Sequence, residues 1–118
     1  MNHMIKIIAV MSIVLFPTSV LAHAMLDHAS PKVGSSSPTA PHEVVLWFTE
    51  NLEPAFSQIE VRDESGALVS SGKARLGAKN ELRVALKALP PGTYKVSWRV
   101  LSVDTHRTQG DFSFRVGP

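Results

Sequence analysis

Two of the chain's five histidines could grip one metal ion together. The first is His23, directly behind Val20-Leu21-Ala22. If the chain is cut after Ala22, His23 carries a free α-amine. That amine and its own Nδ1 close a six-membered chelate, and an α-amine of pKa about 8 yields its proton readily to a metal. The second is His106, two residues after Asp104 in Ser102-Val103-Asp104-Thr105-His106. Asp-x-His in a turn aims a carboxylate oxygen and an imidazole nitrogen at one side. Alone, such a pair is usually solvated or merely hydrogen-bonded. Joined to an amino-terminal histidine, it supplies three nitrogens in a T with an added oxygen. Tetragonal nitrogen and oxygen donors favour Cu(II), whereas zinc prefers a tetrahedral set. The chain has no cysteine, and Met25 is its only methionine past residue 22, so Cu(I) is poorly served.

The other copper mode open to an amino terminus needs histidine at the third position. After a cut at Ala22 the third residue is Met25, so that mode is excluded. His42 reads as a surface loop residue. His28 has no partner at ligand spacing and is retained only as a possible ligand or outer support. Catalytic patterns are absent: no Gly-x-Ser-x-Gly frames a serine, no glycine-rich phosphate loop occurs, and the acidic residues form no evident pair.

The site depends on where the leader ends. Lys6 gives a positive start, Ile7 to Phe16 is apolar, and Pro17-Thr18-Ser19 leads to the small Ala22, the three-part secretory pattern. The apolar run falls short of the roughly 20 residues a spanning helix needs. Residues 1–22 therefore read as a signal peptide and residues 23–118 as one exported domain. Ala22-His23-Ala24 also fits the small-x-small rule, which would put the cut after Ala24. The local rule does not choose between the two.

Of twelve Lys and Arg only Lys6 lies in the leader, so eleven face ten Asp and Glu in the remainder. They are scattered, which argues against nucleic acid as a partner. Without cysteine, the exported fold must stand without disulfides.

The elements that must carry the site alternate with period two. A short strand precedes Pro31, and residues 34–41 read as loop. Val44, Leu46 and Phe48 share one face, as do Ile59 and Val61. A weaker strand opens at Leu68 and is broken by Gly72. Leu82, Val84 and Leu86 follow, then Tyr94, Val96, Trp98 and Val100 behind the Pro90-Pro91-Gly92 turn, and finally Phe112, Phe114 and Val116. No sustained helical stripe appears. About seven short strands predict an all-β, Greek-key β-sandwich of immunoglobulin-like or cupredoxin-like type, with a small closed barrel as competitor. Phe48, Trp98, Phe112 and Phe114 are the expected core aromatics. Trp47, on the opposite face, is expected either near a site or under a loop.

With these residues in view, the chain resembles the CopC-like periplasmic copper-binding proteins. The resemblance is carried by His23-Ala24-x-Leu26 with Ser30-Pro31, and by Leu46-x-Phe48-Thr49-Glu50-Asn51-Leu52. It continues through Pro91-Gly92-Thr93-Tyr94-x-Val96-x-Trp98-x-Val100 and Ser102-x-Asp104-x-His106-x-x-x-Gly110. It implies a non-enzymatic, soluble, monomeric carrier in the periplasm, binding one Cu(II) per chain for copper resistance or for delivery to a CopD-like membrane transporter. By motif match the ligands are His23, His106 and, more weakly, Asp104, with Glu50 supporting the amino end or a water. The resemblance also places the cut after Ala22. One departure stands out. Some members carry a methionine-rich loop with a histidine that binds Cu(I), but Arg62 to Asn80 contains neither residue type. The rival reading is a small copper monooxygenase, since such enzymes use the same amino-terminal histidine brace.

Overall fold

In the computed structural model, residues 24–118 are described. The leader and His23 lie outside the described residues. Eight strands form two four-stranded sheets: β1 (Leu26–Ser30), β2 (Ser36–Ser37), β3 (Glu43–Phe48), β4 (Gln58–Arg62), β5 (Ser70–Leu76), β6 (Glu81–Leu86), β7 (Gly92–Leu101) and β8 (Arg107–Val116). One sheet runs β1-β3-β6-β5 and the other β2-β8-β7-β4. The chain crosses between layers at every connection except β5–β6 and β7–β8, which are hairpins. This is the immunoglobulin-like arrangement, in which a split first strand contributes to both sheets. Each sheet keeps two edges, so the closed barrel does not form. Among the described residues, no helix is long and apolar enough to cross a membrane.

The alternation seen in the sequence fills the space between the layers. Val44, Leu46 and Phe48 of β3 and Leu82 and Val84 of β6 face Val61, Val96, Val100 and Phe114 of the other sheet, all buried. Phe48 meets Trp98 edge-on with ring centroids 5.1 Å apart. Tyr94 stacks on Phe114, and its hydroxyl donates to the Pro90 carbonyl, closing the corner where the chain enters β7. Each large apolar side chain removed from water contributes on the order of 1.5–3 kcal/mol, which a chain without disulfides must gather from its core.

Three elements differ from the sequence-based expectation. The eighth strand, β2, lies inside the stretch read as loop. It is two serines long and runs parallel to the end of β8, held where Arg115 N–H donates to the Ser35 carbonyl and Gly117 N–H to that of Ser37. No apolar period could announce a strand made only of backbone pairing. Gly72 bends rather than breaks β5. Its φ of +76° falls where the register against β6 shifts between Ser71 and Arg75, so the strand passes through a bulge. The final strand begins five residues before Phe112, because β8 pairs with β7 from Arg107 onward.

Gly110 is required by packing. It pairs with Trp98 across β7 and β8, and a Cβ there would stand 2.6 Å from Trp98 Cζ2. The indole lies over the space a side chain would take. We expect Gly110→Ala to lower stability by about 1–3 kcal/mol through overpacking. In a domain of this size that is a fall in Tm of roughly 4–8 °C per kcal/mol, readable by calorimetry alongside altered tryptophan fluorescence.

Candidate metal centre

The turn between β7 and β8 brings Asp104 and His106 together. Ser102 is fully buried at the end of β7. Its backbone N–H donates to the His106 carbonyl at 3.0 Å, and its own carbonyl accepts from Thr105 N–H at 2.9 Å. Closing so short a loop forces Thr105 to φ +71°, a left-handed conformation that costs a β-branched residue of order 1–3 kcal/mol. The reward is placement: Asp104 Oδ2 lies 3.3 Å from His106 Nδ1, with both side chains partly exposed.

Ser102 also fixes the acid. Its hydroxyl donates to Asp104 Oδ1 and accepts from His106 N–H at 3.2 Å. That hydroxyl, and then the His106 ring, hold the Asp104 carboxyl below the ordinary carboxylate range, against the opposing effect of desolvation. Asp104 is thus an anion throughout the neutral range.

The amino-terminal segment is tied to the same place. Ala24 is fully buried. The Thr108 hydroxyl donates to its carbonyl at 2.7 Å, spanning 84 positions of sequence. Met25 N–H donates to Thr49 Oγ1 at 2.9 Å, and Thr49 N–H returns a bond to the Met25 carbonyl at 2.9 Å. Thr108 is two residues past His106, at the second position of β8.

Glu50 follows Thr49 in the bend after β3 and is half-buried. Its neighbour Asn51 accepts from Val103 N–H at 3.0 Å, so the bend touches both the amino-terminal segment and the site loop. The Glu50 carboxylate makes none of the described hydrogen bonds. His28 lies elsewhere. A bulge in β1 turns it onto the outer face, where its ring stacks on Trp47 at 4.3 Å and 8° and its Nδ1 lies 2.7 Å from Asp27 Oδ2. Trp47 is half-buried beneath that ring, not beneath a loop, and its Nε1–H donates to Glu81 Oε2 at 2.9 Å. His42 precedes β3, its carbonyl accepting from Leu86 N–H. No group of three His, Asp or Glu converges among the described residues, and the third expected ligand, His23, is not one of them.

Thr49 and Ser102 entered from sequence only as parts of the motifs that carry the resemblance, and Thr108 not at all, so none had been given a supporting role. Thr108 offers a faint signal, being the polar residue on the β8 face that otherwise carries Phe112, Phe114 and Val116.

The CopC domain model matches residues 26–117. The chain belongs to the CopC family. It is 31% identical over 112 residues to the protein YobA of Escherichia coli K12, covering 92% of this chain and 90% of that protein. It is 32% identical over 114 residues to the copper transport protein CutJ of Bacillus subtilis, covering 94% of this chain but 21% of CutJ. Among solved structures it is similar to CopC from Methylosinus trichosporium OB3b, with TM-score 0.76 and 37% identity over 81% of this chain and 95% of that one. Membership in this CopC family of copper resistance and transport proteins makes copper the ligand class.

The carboxyl–hydroxyl contact carries a prediction. Because the folded pKa of Asp104 is depressed, its charged form stabilises the fold above the ordinary carboxylate range, and that contribution is lost as pH falls through the lowered value. Ser102→Ala should shift this loss to higher pH. The 13C titration of the Asp104 carboxyl in metal-free protein would read the shift directly.

Proposed function

We propose that this protein is a periplasmic Cu(II) carrier whose single site is built on the mature amino terminus. His23 would bind through its α-amine and imidazole, His106 through an imidazole and Asp104 through an oxygen, with Glu50 supporting the amino end or a bound water. The observation that carries this reading is the Thr108 hydroxyl bond to the Ala24 carbonyl. It ties the residue next to His23 to the strand that follows His106, which supports a free His23 amine as partner to that imidazole. The depressed carboxyl of Asp104 supplies the negative charge that offsets a dication.

The leader occupies residues 1–22 in this reading, and its removal after Ala22 creates the chelating amine. In the precursor that nitrogen is an amide and does not serve as a ligand. The carrier would be a soluble monomer in the periplasm and would perform no catalysis, holding copper for resistance or delivery. A CopD-like membrane transporter is the natural recipient. Within CutJ the region alike to this chain is about a fifth of the protein, which shows a domain of this kind joined to a larger copper transport protein.

The test is a one-residue extension. Mature protein beginning at His23 should bind Cu(II) tightly in competition with a chelator, and a variant with one glycine ahead of His23 should bind far more weakly. His106→Ala should also weaken binding and change the electron paramagnetic resonance parameters by removing one nitrogen. Full affinity in the extended variant sinks the proposed ligand set.

A second expectation concerns oxidation state. The segment from Arg62 to Asn80 offers no thioether or imidazole. Titrating the protein with Cu(I) against a strong competitor should therefore reveal no tight site, and a tight one would overturn the Cu(II)-only reading.

A further inference from the structure

Beside the candidate centre lies a surface that the copper ligands do not use. A 3-10 turn (Pro54–Phe56) leaves Phe56 62% exposed. Two adjoining depressions, of about 230 and 200 Å³, share Phe56, Arg99 and Arg107 in their walls. In the β7–β8 pairing Arg99 lies opposite Gln109 and Arg107 opposite Leu101. The two arginines are therefore diagonal neighbours on the outer face, on the order of 7–8 Å apart at the backbone. Like charges so placed repel. Arg62, Arg75 and Arg83 each face a carboxylate, Glu60 for the first and Glu43 for the other two. None of the described ion pairs involves Arg99, Arg107 or Arg115, and of these only Arg99 and Arg107 stand beside Phe56.

We propose that this patch docks an acidic, apolar-bearing segment of a protein that exchanges copper with the carrier. The proposal rests on the Cu(II)-carrier reading and names the surface through which the copper would pass. An exposed aromatic ring flanked by arginines is the residue combination that dominates interface cores. Carboxylates on the partner would neutralise the two guanidiniums, each able to take a carboxylate two-pronged. An apolar side chain beside them would cover Phe56. The patch adjoins the centre, since Arg107 follows His106 and Thr108 holds Ala24. Two further exposed apolar side chains stand at this end, Val103 on the site loop and Met25 beside the buried Ala24, 52% and 60% exposed. A docked segment would thus rest against the partly exposed ligands, where they can be exchanged. An anionic membrane would draw on the whole of this sheet face, Lys95 and Arg115 included, whereas the docked segment needs only Arg99, Arg107 and Phe56. A free small anion would have no use for Phe56.

The test uses copper-loaded protein beginning at His23 and synthetic acceptor peptides. Each acceptor starts with Gly-Gly-His, which takes Cu(II) in a coloured chelate. One continues with alternating Asp and Leu, one with Lys and Leu, and one with Asp and Ser. Stopped-flow absorption reads the transfer rate. The Asp-Leu acceptor should draw copper fastest, by roughly three-fold or more at low salt, and salt should shrink the advantage. Arg99→Gln with Arg107→Gln should abolish it, and Phe56→Ser should reduce it. Both variants should keep the parental Cu(II) affinity, because none of the three side chains is a proposed ligand. Arg115→Gln, at the far end of β8, should leave the rate unchanged. Equal slowing by Arg115→Gln would mean bulk charge and overturn the patch, as would an unaffected double variant. Competition by free glutamate as effective as by peptide would also overturn it, as would rates that respond only to phosphatidylglycerol vesicles. If the protein fails to hold Cu(II) at all, the carrier reading fails. Docking is then judged separately, by NMR shifts of the Arg99 and Arg107 side chains on adding the Asp-Leu segment without its chelate.

Discussion

A single hydrogen bond, from the Thr108 hydroxyl to the Ala24 carbonyl, ties the segment ahead of β1 to the start of the last strand. Such a bond contributes only about 0.5–1.5 kcal/mol net, yet its consequence is positional. A chain terminus ordinarily frays unless something holds it. Here the holding is done three times within two residues, by Thr108 and by the reciprocal pair between Met25 and Thr49. Burial of Ala24 adds an apolar contribution that a longer or charged residue would forfeit. A free α-amine is a serviceable ligand only when its position is fixed, so the chemistry proposed for this chain depends on that anchoring.

The rest of the sandwich makes the anchoring possible. Thr108 can reach Ala24 because β8 begins at Arg107 in full register with β7, and that register depends on Trp98 finding no side chain at Gly110. Thr49 can reach Met25 because β1 is laid along β3 by its bulged pairing. The Ser102 turn then sets Asp104 and His106 beside the tethered segment at the cost of a strained Thr105. Backbone strain of this kind persists only where surrounding contacts over-determine it. The buried Ser102, with its bonds to Asp104 and His106, is such a contact.

The period-two runs of Val44, Leu46 and Phe48, or of Tyr94, Val96, Trp98 and Val100, announced their strands because half-burial writes itself into alternation. The closeness of Asp104 and His106 was legible because the two stand two positions apart in one turn. What stayed hidden has a common cause. The serine strand β2, the passage of β5 through Gly72, and the roles of Ser102, Thr49 and Thr108 all rest on backbone pairing or on hydrogen bonds between distant positions. These leave no periodic trace. Trp47 was placed on the correct face, but its cover was not foreseeable, because the stack with His28 exists only through a bulge that shifts β1 by one residue.

The surroundings of Asp104 and His106 bear on whether a copper ion here would be held or put to chemical use. An enzyme of the histidine-brace type must present its ion to a polymer across a broad, flat face and shield reactive intermediates from water. In this chain both side chains are partly exposed, at the tip of a hairpin turn, with apolar residues protruding around them. Such an edge suits a contact that is brief and selective. Arg99 and Arg107 push the same way. Positive charge at the rim draws a partner's carboxylates toward it, which speeds and selects the encounter more than it deepens affinity. Anchoring of the amino terminus would govern how copper is held, and the two arginines would govern which partner meets the rim.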